Sequence, residues 1–297
     1  MKIFDCFMYF DEDLILDLRL NILNDFVDCF VIVESSYNHN GERKKLNFDI
    51  NKFGKFKNKI KYLIYDQIPK NIKEIKKHYD EDEKTRRYIH NAYQRENGQR
   101  NFISNGLKDA NLNDIILISD VDEIPNLENV DFNQIKEKII FFQQDMFYYK
   151  LNLKFPNFIW VGTKACRKKS LKSPQWLRNI KDKKYSFYRI DTLFSETKYI
   201  NLKFIENGGW HFTNIKTADE IKHKLESYLH HREFDTNPLS INEINQIIFN
   251  KKTIYDLTAD QKKNKIGIGK SLEIYNVDKL PEIIKKNLEK YKDWIEK

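Results

Sequence analysis

The sequence predicts an α/β fold built on a parallel sheet, and three observations carry that expectation. Residues 3–9 form an apolar run of strand length. Residues 11–26 place Leu14, Leu18, Ile22 and Phe26 at four-residue spacing, on one face of a helix. Cys29-Phe30-Val31-Ile32-Val33 is a second short run, rich in β-branched residues. Strand, helix and strand with short links make a βαβ unit, whose two strands lie parallel in one sheet.

Asp11 and Asp13 stand at the start of the first helix, where the macrodipole favours negative charge. The stretch Glu34 to Gly41 leaves the C-terminal end of the second strand, the edge at which open α/β sheets bind ligands. Residues 42–60 are basic and irregular, Lys61 to Tyr65 reads as a third strand, and residues 71–84 form a polar connection. A long helix is expected from Arg86 to Ala110, with Phe102, Leu107 and Ala110 on its apolar side. Ile115-Ile116-Leu117-Ile118 is a buried-strand run that ends abruptly in Ser119-Asp120-Val121-Asp122-Glu123-Ile124-Pro125, where the proline stops regular pairing. Strands follow at 139–151 and 158–166, and Trp210-His211-Phe212 sits in a short strand after Gly208-Gly209. Helices are expected at 217–231, at 241–250 and at 281–296, the last with Pro281 in its favoured first turn.

Composition narrows the class. The 297 residues are 40% hydrophobic and 32% charged, a globular balance with length enough for a sizeable core. The net charge of +8 is mostly lysine and suits an anionic partner, or reflects a Lys-, Asn- and Ile-rich coding bias. No arginine-rich block or aromatic-interleaved signature supports nucleic-acid binding. Cys6, Cys29 and Cys166 are dispersed, odd in number and without metal spacing, so reduced, partly buried thiols and a cytoplasmic setting are expected. The N-terminus runs straight into the first strand, without a signal peptide, and no stretch approaches the roughly 20 apolar residues of a membrane span. Any membrane contact is therefore expected to be peripheral.

The strongest chemical motif is Asp120-Val121-Asp122 at the end of an apolar strand. Alternate residues of an extended chain point the same way, so one carboxylate can hold a divalent ion while the other holds it through water or binds a ribose. Mg²⁺ and Mn²⁺ prefer oxygen ligands shared with substrate phosphates, which suits a nucleotide diphosphate leaving group. The alternative is an acidic strand-to-loop turn. His211, 89 residues after Asp122 in Gly208-Gly209-Trp210-His211-Phe212, is a second candidate ligand, the glycines letting the backbone approach a ligand closely. The alternative for it is a structural histidine. His39, His230 and His231 are weaker candidates.

Five segments occur together in one order: Phe4-Asp5-Cys6-Phe7-Met8-Tyr9-Phe10, Val31-Ile32-Val33-Glu34, Gln99-Arg100-Asn101, Ile118 through Pro125, and Gly209-Trp210-His211-Phe212. In this combination the chain resembles glycosyltransferase family 17, the β-1,4-mannosyl-glycoprotein 4-β-N-acetylglucosaminyltransferase type, over roughly residues 3 to 250. The resemblance implies a GT-A fold: a mixed central sheet flanked by helices. It also implies a UDP-sugar donor, UDP-N-acetylglucosamine in the best-known members, with a divalent cation (Mn²⁺ or Mg²⁺) and inversion at the anomeric carbon.

With no repeat or flexible linker, one domain is expected over 1–297: a nucleotide-binding half to 125, an acceptor half over 126–250 and a helical C-terminal tail over 251–297. The animal members' membrane anchor and lumenal stem have no counterpart, so the expected acceptor shifts from a glycoprotein towards a lipid-linked glycan, a surface polysaccharide or a capsid glycan.

Under this reading Asp120, Asp122 and His211 are metal ligands. Asp120, with Glu34 and Arg100, also serves the nucleotide. Glu34 holds the uridine or ribose; Arg100 pairs with Asp120 or reaches the diphosphate. Glu123 orients the site or touches the sugar. Inversion needs a carboxylate base, for which Asp145 ranks before Asp191 and Glu206. Trp160, Tyr148 and Trp210 either stack on sugars or pack in the core. Rival readings are a retaining glycosyltransferase, a metal-dependent phosphohydrolase or nucleotidyltransferase, and a basic nucleic-acid-binding protein.

Overall fold

The computed structural model describes residues 1–186, 188–227, 234, 238–254 and 269–297. The opening βαβ unit forms as expected. Strand β1 (Ile3–Tyr9), helix α1 (Asp13–Leu23) and strand β2 (Cys29–Ser35) are followed by β3 (Ile60–Tyr65). Helix α2 (Glu81–Phe102) then leads to β4 (Ile115–Asp120). Strands β1 and β2, β2 and β3, and β1 and β4 all pair in parallel. The remaining strands are β5 (Glu123–Pro125), β6 (Ile139–Tyr148), β7 (Leu153–Arg167), β8 (Leu202–Ile205), β9 (Gly209–Thr213) and β10 (Glu273–Ile274). They complete a ten-stranded sheet in the order β3-β2-β1-β4-β7-β6-β9-β5, with β8 on β6 and β10 on β7. Strand β7 runs antiparallel to both β4 and β6 and turns the parallel half into a mixed sheet. This is the GT-A arrangement.

Successive residues of the central strands serve opposite faces, as a pleated backbone requires. Phe7, Ile32 and Leu117 pack with Leu16, Leu20 and Leu23 of α1 on one side. Cys6, Val31, Val33, Ile116 and Ile118 pack with Ile103 and Leu107, just beyond α2, on the other. The cysteines are all free and buried, and burial pushes the Cys166 thiol up to about 12. No helix among the described residues is long and apolar enough to cross a membrane.

Several boundaries differ from expectation for local reasons. Helix α2 starts five residues early because the Asp80 side chain accepts the Glu83 N–H at 2.7 Å and Glu81, Asp82 and Glu83 fill the first turn. Its expected last turns tighten into a 3₁₀ segment, Ile103–Leu107. A short helix α3 (Pro174–Asn179), unforeseen in the sequence, is capped by Ser173 and opened by its proline. Pro125 does not exclude a strand: it closes β5, which lies at the edge of the sheet where a missing N–H is tolerated. The expected terminal helix is broken at Asn287 (φ −128°) into Glu282–Lys286 and Leu288–Tyr291. The tail is not purely helical, since Glu273–Ile274 pairs with β7. Helix α4 (Ala218–Ser227) forms at the expected place; Tyr228, Leu229, His230 and His231 lie outside the described residues. The helix expected at 241–250 spans Ile241–Phe249.

Candidate active site

Strands β1, β2 and β4 end side by side, and a cleft opens at that C-terminal edge. It is lined by Phe10 and Glu12 after β1, by Ser35 at the end of β2 with Asn38 and His39 beyond it, and by Asp120 at the end of β4 with Val121, Asp122 and Glu123 beyond it. Trp160, His211, Thr213 and Lys224 close it from β7, β9 and α4.

A buried ion pair shapes the floor. Arg19 of α1 and Asp5 of β1 are fully buried and meet at 2.6 Å. Arg19 Nη1 donates to the carbonyl oxygens of Asp120 at 3.1 Å, Val121 at 3.1 Å and Glu123 at 2.9 Å. The guanidinium thus satisfies the backbone of the very turn that carries the acidic pair, and its charge is compensated by Asp5. Neither residue was singled out from the sequence. The signal available was a lone acid inside an apolar strand and a lone arginine among the buried positions of an amphipathic helix.

The two aspartates have different surroundings. Asp120 accepts from Arg100 Nη2 at 3.0 Å and from Arg178 Nη2 at 3.0 Å. Burial opposes its ionisation, but Arg178 and Arg100 outweigh that and hold the carboxyl well below its usual range. Asp122 faces His211, with Nε2 at 3.6 Å from Oδ1. Its pKa is also lowered, against burial, chiefly by His211. Asp122 and His211 are brought together because β5 folds back on β9, which sets Glu123 opposite His211. The Gly209 backbone makes that pairing possible: at φ +126° a Cβ there would sit 2.1 Å from the Ile124 carbonyl oxygen. The glycines therefore admit a neighbouring strand, where the sequence suggested a ligand.

Glu123 is buried beneath the pair. It accepts from Trp160 Nε1 at 2.7 Å, from Arg178 Nη1 at 2.7 Å and from the Asp120 N–H at 2.8 Å. Its carboxylate holds the turn and Trp160 in place. Trp160 in turn packs 5.1 Å from the His211 ring. Arg178, carried by α3, is the member of this network that sequence reasoning missed, because nothing local distinguishes it from a surface arginine.

Other expected site residues lie elsewhere. Glu34 is fully buried and does not itself line the cleft: its oxygens accept from the amine of Lys44, which does, from the N–H groups of Asn47 (2.7 Å) and Phe48 (3.1 Å), and from the Tyr62 hydroxyl (2.8 Å). It anchors the loop after β2. Asp145 pairs with Lys154 at 2.6 Å on the β6–β7 ladder and does not line the cleft. Asp191 pairs with Arg189 and Lys198 on the surface, and Glu206 is exposed. Tyr148 belongs to one core cluster, and the half-buried Trp210 packs against a different one. His39 lines the cleft, with a pKa lowered by burial. Glu12 also lines it, half-buried, and was not anticipated. Burial raises its pKa, and the Asp11 and Asp122 carboxylates add to that effect against Lys216 and Lys224.

Among the described residues no three His, Cys, Asp or Glu side chains converge as a metal cage. The pair Asp122–His211 nevertheless fits a cation of the Mg²⁺ type, which takes one or two protein ligands and completes its shell with substrate phosphates and water. The His211 ring belongs to the wall of the cleft, and its buried Nδ1 has no hydrogen-bond partner among the described residues.

A family model for glycosyltransferase family 17 matches residues 1–295. No curated protein sequence matches the chain significantly. Among solved structures, 2-C-methyl-D-erythritol 4-phosphate cytidylyltransferase of Francisella tularensis aligns with 75% of this chain and 98% of its own, at 11% identity and a TM-score of 0.27. That likeness is too distant to bear on activity. The family match spans nearly every residue, and the chain belongs to glycosyltransferase family 17 and is a glycosyltransferase.

Proposed function

We propose that the enzyme moves a sugar, N-acetylglucosamine, from a UDP-sugar to a glycan acceptor with inversion, assisted by Mn²⁺ or Mg²⁺. The observation that supports this most is the Asp122–His211 pair at 3.6 Å on the cleft wall, next to Asp120. These two side chains would hold the cation. When bound, it would offset the charge that builds on the diphosphate as the sugar leaves. Asp120, already balanced by two guanidinium groups, suits the hydroxyl groups of ribose or sugar better than a second positive ion. Lys224 brings a further positive charge to the cleft for the diphosphate. Among the described residues Glu12 is the one cleft carboxylate that is neither held by an arginine nor facing His211, and its raised pKa suits proton abstraction from the acceptor hydroxyl.

Calorimetry with UDP tests this reading. Wild type should bind UDP weakly without metal and at least about tenfold more tightly with Mn²⁺, on the scale of one lost contact in a metal site. Asp122→Ala should lose the gain. Equal affinity with and without metal in both proteins would remove the cation from the proposal.

A further inference from the structure

Beyond the cleft, residues 181–186 and 188–200 belong to a surface excursion closed at its base. The Lys181 N–H donates to the Thr197 carbonyl at 2.8 Å. The excursion is tied to α3, since Trp176 Nε1 donates to the Glu196 carbonyl at 3.0 Å and the Trp176 ring meets Tyr199 edge-on. Its outer part is unusual for a soluble surface. Tyr188, Ile190, Leu193 and Phe194 are 72%, 70%, 76% and 85% exposed within seven residues of chain. Isolated exposed apolar residues need no explanation, but a cluster of large ones marks an interaction surface.

The charges around this cluster indicate its partner. Lys181, Lys183 and Lys184 are exposed immediately before it, with Asp182 among them, and with Arg189 and Lys198 the five cations outnumber the three acids Asp182, Asp191 and Glu196 of this stretch. The acid at its centre, Asp191, is bound by Arg189 at 2.8 Å and Lys198 at 2.7 Å. Those two cations keep its carboxyl ionised, with a pKa lowered to about 2, and their ion pairs offset its negative charge. We propose that this excursion docks the enzyme on an anionic lipid surface, with Leu193 and Phe194 entering the interface and the lysines facing the headgroups. Apolar insertion and basic attraction are each weak alone and together give stable, reversible attachment. The same helix α3 carries Trp176 to the excursion and Arg178 to Asp120, so attachment would set the cleft at a fixed orientation to the membrane. The inference rests on the surface alone and does not depend on the donor or metal assigned to the cleft.

Co-sedimentation with phosphatidylcholine vesicles, with and without phosphatidylglycerol, tests it. Wild type should partition onto the anionic vesicles only, and less as salt rises. Leu193→Ser/Phe194→Ser should lower partitioning at least about tenfold. Lys183→Gln/Lys184→Gln should lower it about 25-fold, taking about fivefold per lysine. All four positions are exposed, so both variants should keep the wild-type circular dichroism and thermal midpoint. Equal binding to neutral and anionic vesicles, or no binding to either, overturns the proposal. So does a wild-type dimer in size-exclusion chromatography that Leu193→Ser/Phe194→Ser turns into monomer, because a second copy would then be what covers the patch.

Discussion

Arg178 Nη2 reaches Asp120 Oδ2 at 3.0 Å across 58 positions of chain. The same guanidinium holds the buried Glu123 at 2.7 Å. One side chain of α3 thereby fixes both the first aspartate of the motif and the carboxylate that carries its turn. Among the described residues Asp122 meets no guanidinium and faces His211 instead. The two aspartates of one short motif are thus prepared for different tasks.

Arg178→Met should destabilise the protein by about 3 to 5 kcal/mol, because Glu123 would stay buried without its cation. Glu123→Gln in the same chain should restore part of that loss. Urea unfolding of the two single variants and the double variant measures the coupling, expected at about 2 kcal/mol. Strictly additive losses would mean that the two side chains do not stabilise one another.

His211→Ala should raise the metal concentration for half-maximal transfer by about tenfold. Asp122→Asn should abolish transfer while keeping the thermal midpoint within a few degrees, since it sits at the cleft edge and not in the core. Metal titrations and thermal melts of both variants check this. If His211 only packs against Trp160, its variant loses stability and keeps the wild-type metal dependence.

Glu12→Gln should lower turnover at least about a hundredfold, the scale of a lost general base. Asp145→Asn should stay within about twofold of wild type, because that carboxylate is engaged by Lys154 outside the cleft. Steady-state rates at saturating donor and acceptor compare the two. The reverse order of loss would return the base to β6.

Lys164 makes stability depend on alkaline pH. Its amine donates to the carbonyl oxygens of Arg178 and Ile180, both at 2.6 Å, and burial pushes its pKa from 10.5 down to about 8. Below pH 8 the amine is charged in both folded and unfolded chains, and the cost of burying the charge is fully present. Between about pH 8 and 10.5 the unfolded chain keeps a proton that the folded chain has released, so stability rises with pH by up to about 3 kcal/mol. Lys164→Met should lack that rise. Unfolding free energies of both proteins at pH 7.5 and 10, differenced, read the effect; a wild-type difference equal to that of the variant would exclude it.

Much of the architecture could be read locally. The four-residue spacing of Leu14, Leu18 and Ile22 and the apolar runs on either side specify a βαβ unit, because period and length decide which face a residue joins. The run Ile115–Ile118 ending in Asp120-Val121-Asp122 places two acids at a strand end for the same reason. What those acids meet is a matter of strand order and register. Sheet topology folds β5 onto β9 and so sets His211 against Asp122, and the packing of α3 beside β4 and β7 brings Arg178 to Asp120. Glu34 illustrates the limit: a carboxylate at a strand end reads alike whether it turns to the cleft or inward, and the loop that returns Lys44, Asn47 and Phe48 to it decided for the interior. Periodicity encodes the side on which a residue lies, while the partner across space is chosen only when distant elements pack.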